Sequence, residues 1–253
     1  MAAITVRNLT IGAGRPKICV PLTARTREEL AQEAGRLKRT PWDLAEWRAD
    51  CFDGLAKPGA VTETLSFLRE SLGDRPLLFT IRTRAEGGNA DPGSEAYRAL
   101  TLTAAESGLA DLIDAELSAG HETFSAVVQA AHAHGAFVVG SRHDFNKTPA
   151  RDELVESLCR MQDLGADLVK YAVMPQSARD VLTLFDATLT MRETRPGTPV
   201  ITMSMGDLGV LSRLGGGLFG SCITFGTAGR ASAPGQLPAE TLEKILALLP
   251  ELT

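Results

Sequence analysis

Short apolar runs alternate with longer amphipathic stretches along this 253-residue chain. The runs fall at residues 18–22, 44–48, 77–82, 112–117, 137–141, 168–173, 200–203 and 218–225, which makes eight candidate strands. Between them, apolar residues recur at helical spacing: Leu30, Ala34 and Leu37; Val61, Leu65, Leu68 and Leu72; Leu154, Leu158 and Met161; Leu242, Ile245 and Leu249. Boundary signals agree. Thr26 and Glu29 have capping-box spacing, Thr148-Pro149 places a proline in a first helical turn, and Gly135 and Gly165 suit helix ends. Strand-helix alternation at this spacing predicts parallel strands with right-handed crossovers. Eight such units in this length match an α/β fold of the (β/α)8 TIM barrel type, with a doubly wound open sheet as the alternative. Two β-prone pieces before Gly12-Ala13-Gly14 predict a short N-terminal β-hairpin capping the barrel floor. Without a linker, repeat or low-complexity segment, residues 1–253 read as a single barrel domain.

Side chains alternate faces along a strand, so residue parity sorts the predicted barrel interior from the helix-facing side. Leu44, Glu46 and Arg48 share one face, opposite Ala45, Trp47 and Ala49. Thr80 and Arg82 oppose Phe79 and Ile81, and Asp114 and Glu116 oppose Ile113. Ser141 and His143 follow Val139 on one face; Leu168, Lys170 and Ala172 share another, as do Ile201, Met203 and Met205. The charged groups therefore gather on one face and late in each strand, where a barrel keeps its active site. Carboxylates, arginines, a histidine and a lysine converging at a barrel mouth suit a small anionic, hydroxylated ligand.

Composition narrows the classes. The net charge of −5 with no basic block argues against nucleic acid as a partner. No apolar run approaches bilayer-spanning length, and the N-terminus lacks the basic-then-apolar order of a signal peptide, which predicts a cytoplasmic protein with no membrane partner. Cys19, Cys51, Cys159 and Cys222 form no CxxC pair and sit at no metal-ligand spacing, so free thiols are expected.

Lys170 is the sharpest chemical feature. It is one of six lysines and lies inside the apolar run Leu168-Val169-Lys170-Tyr171-Ala172-Val173. Burial destabilises an ammonium relative to the neutral amine, which turns a lysine into a nucleophile. The bland alternative is a lysine that reaches water or pairs with a carboxylate. Among the four histidines, only His143 ends a strand on the pocket face, where an imidazole near its neutral pKa both takes and returns a proton. Glu86, in a loop ahead of Gly87-Gly88, is placed to orient that histidine, although alone it would read as a surface carboxylate. Two other patterns fall away. Gly215-Gly216-Gly217-Leu218-Phe219-Gly220 matches GxGxxG but precedes a predicted strand instead of following one, so a dinucleotide site is not expected. No HxH or HxxE pair supports a metal.

The ordered segments carry a resemblance. Glu46-Trp47-Arg48-Ala49-Asp50, Phe79-Thr80-Ile81-Arg82-Thr83 with Glu86-Gly87-Gly88, His143-Asp144-Phe145 with Thr148-Pro149, Asp167-Leu168-Val169-Lys170 with Ala172-Val173-Met174-Pro175, Met203-Ser204-Met205-Gly206 with Ser212-Arg213, and Ala231-Ser232-Ala233-Pro234-Gly235-Gln236 together resemble the type I 3-dehydroquinate dehydratases. The resemblance covers nearly the whole chain. It implies a cofactor-free homodimeric barrel lyase that dehydrates 3-dehydroquinate to 3-dehydroshikimate in the shikimate pathway by syn elimination. By the family's pattern Lys170 forms an imine with the C3 ketone, His143 removes the C2 proton and protonates the departing C1 hydroxyl, and Glu86 supports the histidine. Glu46, Arg48, Arg82, Arg213, Ser232 and Gln236 match its substrate-binding positions, with Arg213 suited to the substrate carboxylate. Two positions depart from the pattern. Pro21 stands where a small polar residue is common, which predicts one ligand contact fewer. Arg142 stands where an uncharged residue is usual, but its parity points it away from the pocket. A class I aldolase and a non-enzymatic ligand sensor on the same scaffold are the competing readings. The aldolase would need a phosphate loop that is not visible, and the sensor would not need Lys170, His143 and Glu86 intact.

Overall fold

The computed structural model describes residues 2–250. Its chain opens with an antiparallel hairpin of β1 (Ile4–Val6) and β2 (Leu9–Ile11). A regular alternation follows. The first half holds β3 (Lys17–Leu22), α1 (Arg27–Leu37), β4 (Leu44–Arg48), α2 (Ala60–Leu72), β5 (Leu77–Thr80), α3 (Ser94–Glu106), β6 (Leu112–Glu116) and α4 (His121–Ala133). The second half holds β7 (Phe137–Asp144), α5 (Arg151–Asp163), β8 (Leu168–Val173), α6 (Ala178–Thr194), β9 (Val200–Ser204), α7 (Val210–Phe219), β10 (Ile223–Thr227), a two-residue β11 (Leu237–Pro238) and α8 (Ala239–Leu246).

Strands β3 to β9 pair in parallel in sequence order, and β10 pairs with β3. The ring closes where the Cys222 N–H donates to the Val200 carbonyl at 2.8 Å, beside a parallel bridge between Val200 and Ser221. The arrangement is the expected TIM barrel and not the open sheet. Parity holds around the ring. Ala45, Trp47, Phe79, Ile81, Ile113, Val169 and Tyr171 pack outward in the layer shared with the helices. Leu44, Leu78, Leu112, Val139, Leu168 and Ile201 pack inward as a separate cluster. One step toward the C-terminal ends, the same inward face carries Glu46, Thr80, Asp114, Ser141 and Lys170, all buried. The barrel is thus apolar at its floor and polar at its mouth.

The hairpin seals the floor. Val6 and Ile11 are buried against the inward-facing cluster, and Arg7 in the turn donates from Nε to Asp111, just before β6, at 2.5 Å. Asp111 also accepts from Arg69 and from the Leu77 N–H, which ties the hairpin to two barrel strands.

The expected boundaries shift at several points. The last strand is Ile223–Thr227, not 218–225, because the three glycines belong to α7. Gly217 is there for close approach, since a Cβ on it would lie 2.4 Å from the Pro16 ring, and Gly220 at φ +118° ends the helix. The glycine run therefore opens no helix, as a dinucleotide site would require. β5 stops at Thr80, while β7 runs on through His143 because it pairs with β8 as far as Asp144 and Val173. α5 starts at Arg151, past Pro149, and the buried stripe of α8 is Ala239, Leu242 and Leu246, with Ile245 only half-buried. At α1, Thr26 Oγ1 accepts from the Glu29 N–H at 3.3 Å, but the Glu29 carboxylate accepts from the Arg25 N–H, so only half of a capping box forms.

Candidate active site

All nine residues singled out from the sequence line one cavity at the barrel mouth, with about 470 Å³ of open volume. Lys170 points into it from the middle of β8. Its Nζ lies 3.9 Å from Glu46 Oε1 and 4.3 Å from the centroid of the Phe225 ring, and the residue is 4% exposed. Burial is the main force lowering its pKa, and the Arg82 charge adds to this; Glu46 opposes both, yet the net shift is downward. A larger share of the amine is therefore neutral and nucleophilic than for a solvated lysine.

His143 comes from the end of β7, and its Nδ1 lies 2.9 Å from Glu86 Oε2. Burial, then the positive charges of Arg82, Lys170 and Arg48, hold its pKa well below the ordinary imidazole value. A neutral imidazole beside a carboxylate donates Nδ1–H to it, which leaves the Nε2 lone pair free as a base. Glu86 is itself buried, and burial pushes its carboxyl up to about 7 against the opposing pull of Arg82. Its other oxygen, Oε1, accepts from the Ser118 hydroxyl at 2.5 Å.

Two arginines of the set are already engaged. Arg82 donates from Nη1 to Glu116 Oε1 (2.7 Å) and Ser141 Oγ (3.0 Å), and from Nη2 to Asp114 Oδ2 (2.8 Å). It also lies 3.6 Å from Glu86. Arg48 forms a two-point pair with Asp50 through Nε and Nη2, each at 2.8 Å. Asp50 further accepts from the backbone N–H groups of Arg82 and Asn89, which fixes the start of the Glu86 loop.

Arg213, buried on α7, is different. It donates from Nη2 to the Pro234 carbonyl at 2.9 Å, its Nη1 meets the Met203 sulfur at 3.8 Å, and its Nε is buried without a partner. Burial lowers its pKa to about 10. A guanidinium held out of water without a carboxylate is a receptor for an anion. Over it runs the loop before β11. Gln236 Oε1 accepts from the Ser232 N–H and its Nε2 donates to Ser232 Oγ. The loop rests on Gly206, where a Cβ at Gly235 would come within 2.4 Å of the Gly206 carbonyl.

The remaining wall is apolar and was not assigned a role from the sequence: Phe145, Met203, Met205 and Phe225 line the same cavity. Parity placed Met203 and Met205 on this face, and Phe145 sat in a noted motif. Nothing in the sequence pointed to Phe225 or Ser118. Pro21 lies within β3 and is absent from the cavity lining. Arg142 turns outward, as parity indicated, donating to Ser157 Oγ with its guanidinium 5.8 Å from the Tyr171 ring centroid. Among the described residues no group of three or more His, Cys, Asp or Glu is arranged to hold a metal.

Comparison with known proteins adds a consistent result. The family model for type I 3-dehydroquinase matches residues 18–253. The 3-dehydroquinate dehydratase of Syntrophotalea carbinolica is 49% identical over 249 residues, covering 98% of each chain. The solved type I 3-dehydroquinate dehydratase of Clostridium difficile, with covalently modified comenic acid, superposes with a TM-score of 0.94 at 46% identity, covering 98% of this chain and 97% of that one. The 3-dehydroquinate dehydratase of Geobacillus kaustophilus superposes at 0.95 with 39% identity, covering 98% and 96%.

Proposed function

This chain belongs to the type I 3-dehydroquinase family and is a hydro-lyase of the shikimate pathway acting on 3-dehydroquinate, and we propose that Lys170, His143 and Glu86 carry out its elimination at the barrel mouth. The observation that carries the assignment is the meeting, in one cavity, of a buried lysine of lowered pKa with a neutral histidine held by a carboxylate.

The steps follow from those groups. The Lys170 amine attacks the C3 ketone and, with loss of water, gives a protonated imine. The cationic imine withdraws electrons from C2, so a neutral imidazole is strong enough to take the C2 proton. The resulting enamine pushes out the C1 hydroxyl, and the imidazolium returns the proton to it as water. One residue acting as base and then acid fits a syn elimination. Hydrolysis of the product imine releases 3-dehydroshikimate and restores Lys170. The Phe225 ring face and the Glu46 carboxylate lie beside the nitrogen that carries the positive charge.

Arg213, with no anionic partner of its own, suits the substrate carboxylate through parallel donors. Glu46 and Arg48 are placed to read ring hydroxyls. Arg82, its terminal nitrogens bound to Asp114, Glu116 and Ser141, contributes positive charge near the ring. Ser232 and Gln236, bonded to each other, close the side of the cavity above Arg213. No cofactor enters these steps. The function is tested by adding 3-dehydroquinate and following the ultraviolet absorbance of the conjugated enone product. Absorbance is expected to rise with enzyme concentration, and a flat trace would refute the assignment.

The same proposal covers the setting: a single-domain, cytoplasmic homodimer that binds neither membrane nor nucleic acid. Four free cysteines fit a reducing compartment, no helix among the described residues is long and apolar enough to cross a membrane, and the net charge is −5. Leu208, Leu211 and Leu218 on and just before α7 and Leu182 on neighbouring α6 are exposed apolar groups suited to a subunit contact. Leu211→Glu is expected to lower the mass measured by light scattering from that of a dimer to that of one 26.9 kDa chain. An unchanged mass would place the contact elsewhere.

A further inference from the structure

Glu86 is surrounded by groups that disagree about its charge. Arg82, from the end of β5, and Ser118, from the short turn after β6, favour the carboxylate. Glu116 and Asp114, both on β6, favour the protonated acid, as does burial. His143, from β7, is neutral and faces Oε2, with Lys170 and Arg48 supplying further positive charge around its ring. Arg82 lies 3.6 Å from Glu86 and is bonded to Glu116 and Asp114 at 2.7 and 2.8 Å, so much of its charge is spent on them. Among the described residues, the one hydrogen-bond donor to Glu86 other than the histidine is the Ser118 hydroxyl, at 2.5 Å from Oε1.

The charge of Glu86 decides the form of His143. An ionised Glu86 only accepts, so His143 must present Nδ1–H to it and keep the Nε2 lone pair for the substrate. A protonated Glu86 donates instead. It would favour a bare Nδ1, moving the ring proton to Nε2 and leaving the imidazole with no lone pair where a base is needed. A neutral histidine of the wrong tautomer is as inert as a protonated one.

We propose that Ser118 is a positioning residue for the reaction: its hydroxyl keeps Glu86 an acceptor and so locks His143 as the Nδ1–H tautomer. The inference rests on the reading of His143 as the base. Ser118 does not itself line the cavity and reaches it only through Glu86. It is exposed on its outer side, so its replacement leaves the packed core alone.

The test is the pH profile of turnover for wild type, Ser118→Ala and Ser118→Thr, together with ¹⁵N NMR of the resting enzymes with labelled histidine. A hydrogen bond to a charged group is strong enough to move the Glu86 titration by about one pH unit. Ser118→Ala is expected to move the acid limb of kcat upward by that amount. Turnover on the limb falls about tenfold relative to wild type, and the deficit disappears as pH rises. Ser118→Thr, which keeps the hydroxyl, is expected to restore the wild-type limb. In the spectra, the His143 signal, identified by its loss in His143→Ala, is expected to be Nδ1–H in wild type and to gain Nε2–H character in Ser118→Ala at the acid end. An equal loss of turnover at every pH, or an unchanged tautomer and limb because solvent takes the place of the hydroxyl, would overturn the proposal. Turnover retained by His143→Ala would instead overturn the assignment of the base, a separate and distinguishable failure.

Discussion

Lys170→Ala is expected to abolish turnover, by at least about 10⁴-fold, because it removes the covalent route that makes the C2 proton acidic. Neither His143 nor Arg213 can replace that route. An unactivated ketone leaves the proton far too weakly acidic for an imidazole whose pKa is still lowered by burial and by Arg82 and Arg48. The check is chemical as well as kinetic. Reduction with borohydride during turnover converts the imine into a stable amine, and the mass of the adduct is expected on the peptide that contains Lys170. An adduct on Lys147 or Lys244 instead would reassign the nucleophile. Ligand binding by Lys170→Ala is expected to remain measurable, since Arg213, Arg48 and Glu46 are untouched.

The second large effect is on stability. Glu116→Ala is expected to cost about 3–5 kcal/mol, the usual result of breaking a buried ion pair by removing one partner. In this site the carboxylate receives Arg82 Nη1 at 2.7 Å, the Thr83 N–H at 2.9 Å and the Thr83 hydroxyl at 2.7 Å. All three donors lose that acceptor, and Arg82 keeps a buried positive charge with Asp114 at 2.8 Å and the more distant Glu86 at 3.6 Å as remaining counter-ions. The thermal midpoint is expected to fall by roughly 10 °C on the usual scaling for a chain of this size. Glu122→Ala provides the contrast. That carboxylate also pairs with an arginine at 2.8 Å, but on the surface with 85% of its side chain exposed, and its loss is expected to leave the midpoint unchanged. Similar midpoints for the two variants would mean that the Arg82 network does not support the barrel.

Much of this site was legible in the sequence because a barrel strand has a period of two. Once Glu46, Arg48, Arg82, His143 and Lys170 fell on one parity, their meeting at the mouth followed from closure of the ring. Arg213, Ser232 and Gln236 lie on a helix and a loop, where no such period operates, and only the resemblance identified them. Ser118 escaped both routes: a serine in a turn is common, and its meaning comes from a carboxylate thirty-two positions earlier in the chain. The division of labour among the arginines was equally hidden. Arg82, Arg48 and Arg213 read alike as residues, but two are neutralised by protein carboxylates and the third is left for a ligand. The misplaced last strand has a local cause. Glycines are poor helix formers, so the apolar run after Gly215-Gly216-Gly217 read as the start of a strand, whereas contact with Pro16 makes at least Gly217 a packing requirement within the helix.

The hairpin plug beneath the barrel has a consequence for traffic. Among the described residues, Val6 and Ile11 pack into the floor against the inward-facing apolar cluster, so the way to Lys170 runs through the mouth. Substrate, the water that hydrolyses the imine, the water expelled from the ring and the finished product all share a single entrance. Each turnover is therefore a sequence of admissions and departures in which an occupant must leave before the next can enter, so the crowding of that entrance belongs to the rate as much as the bonds being broken inside it.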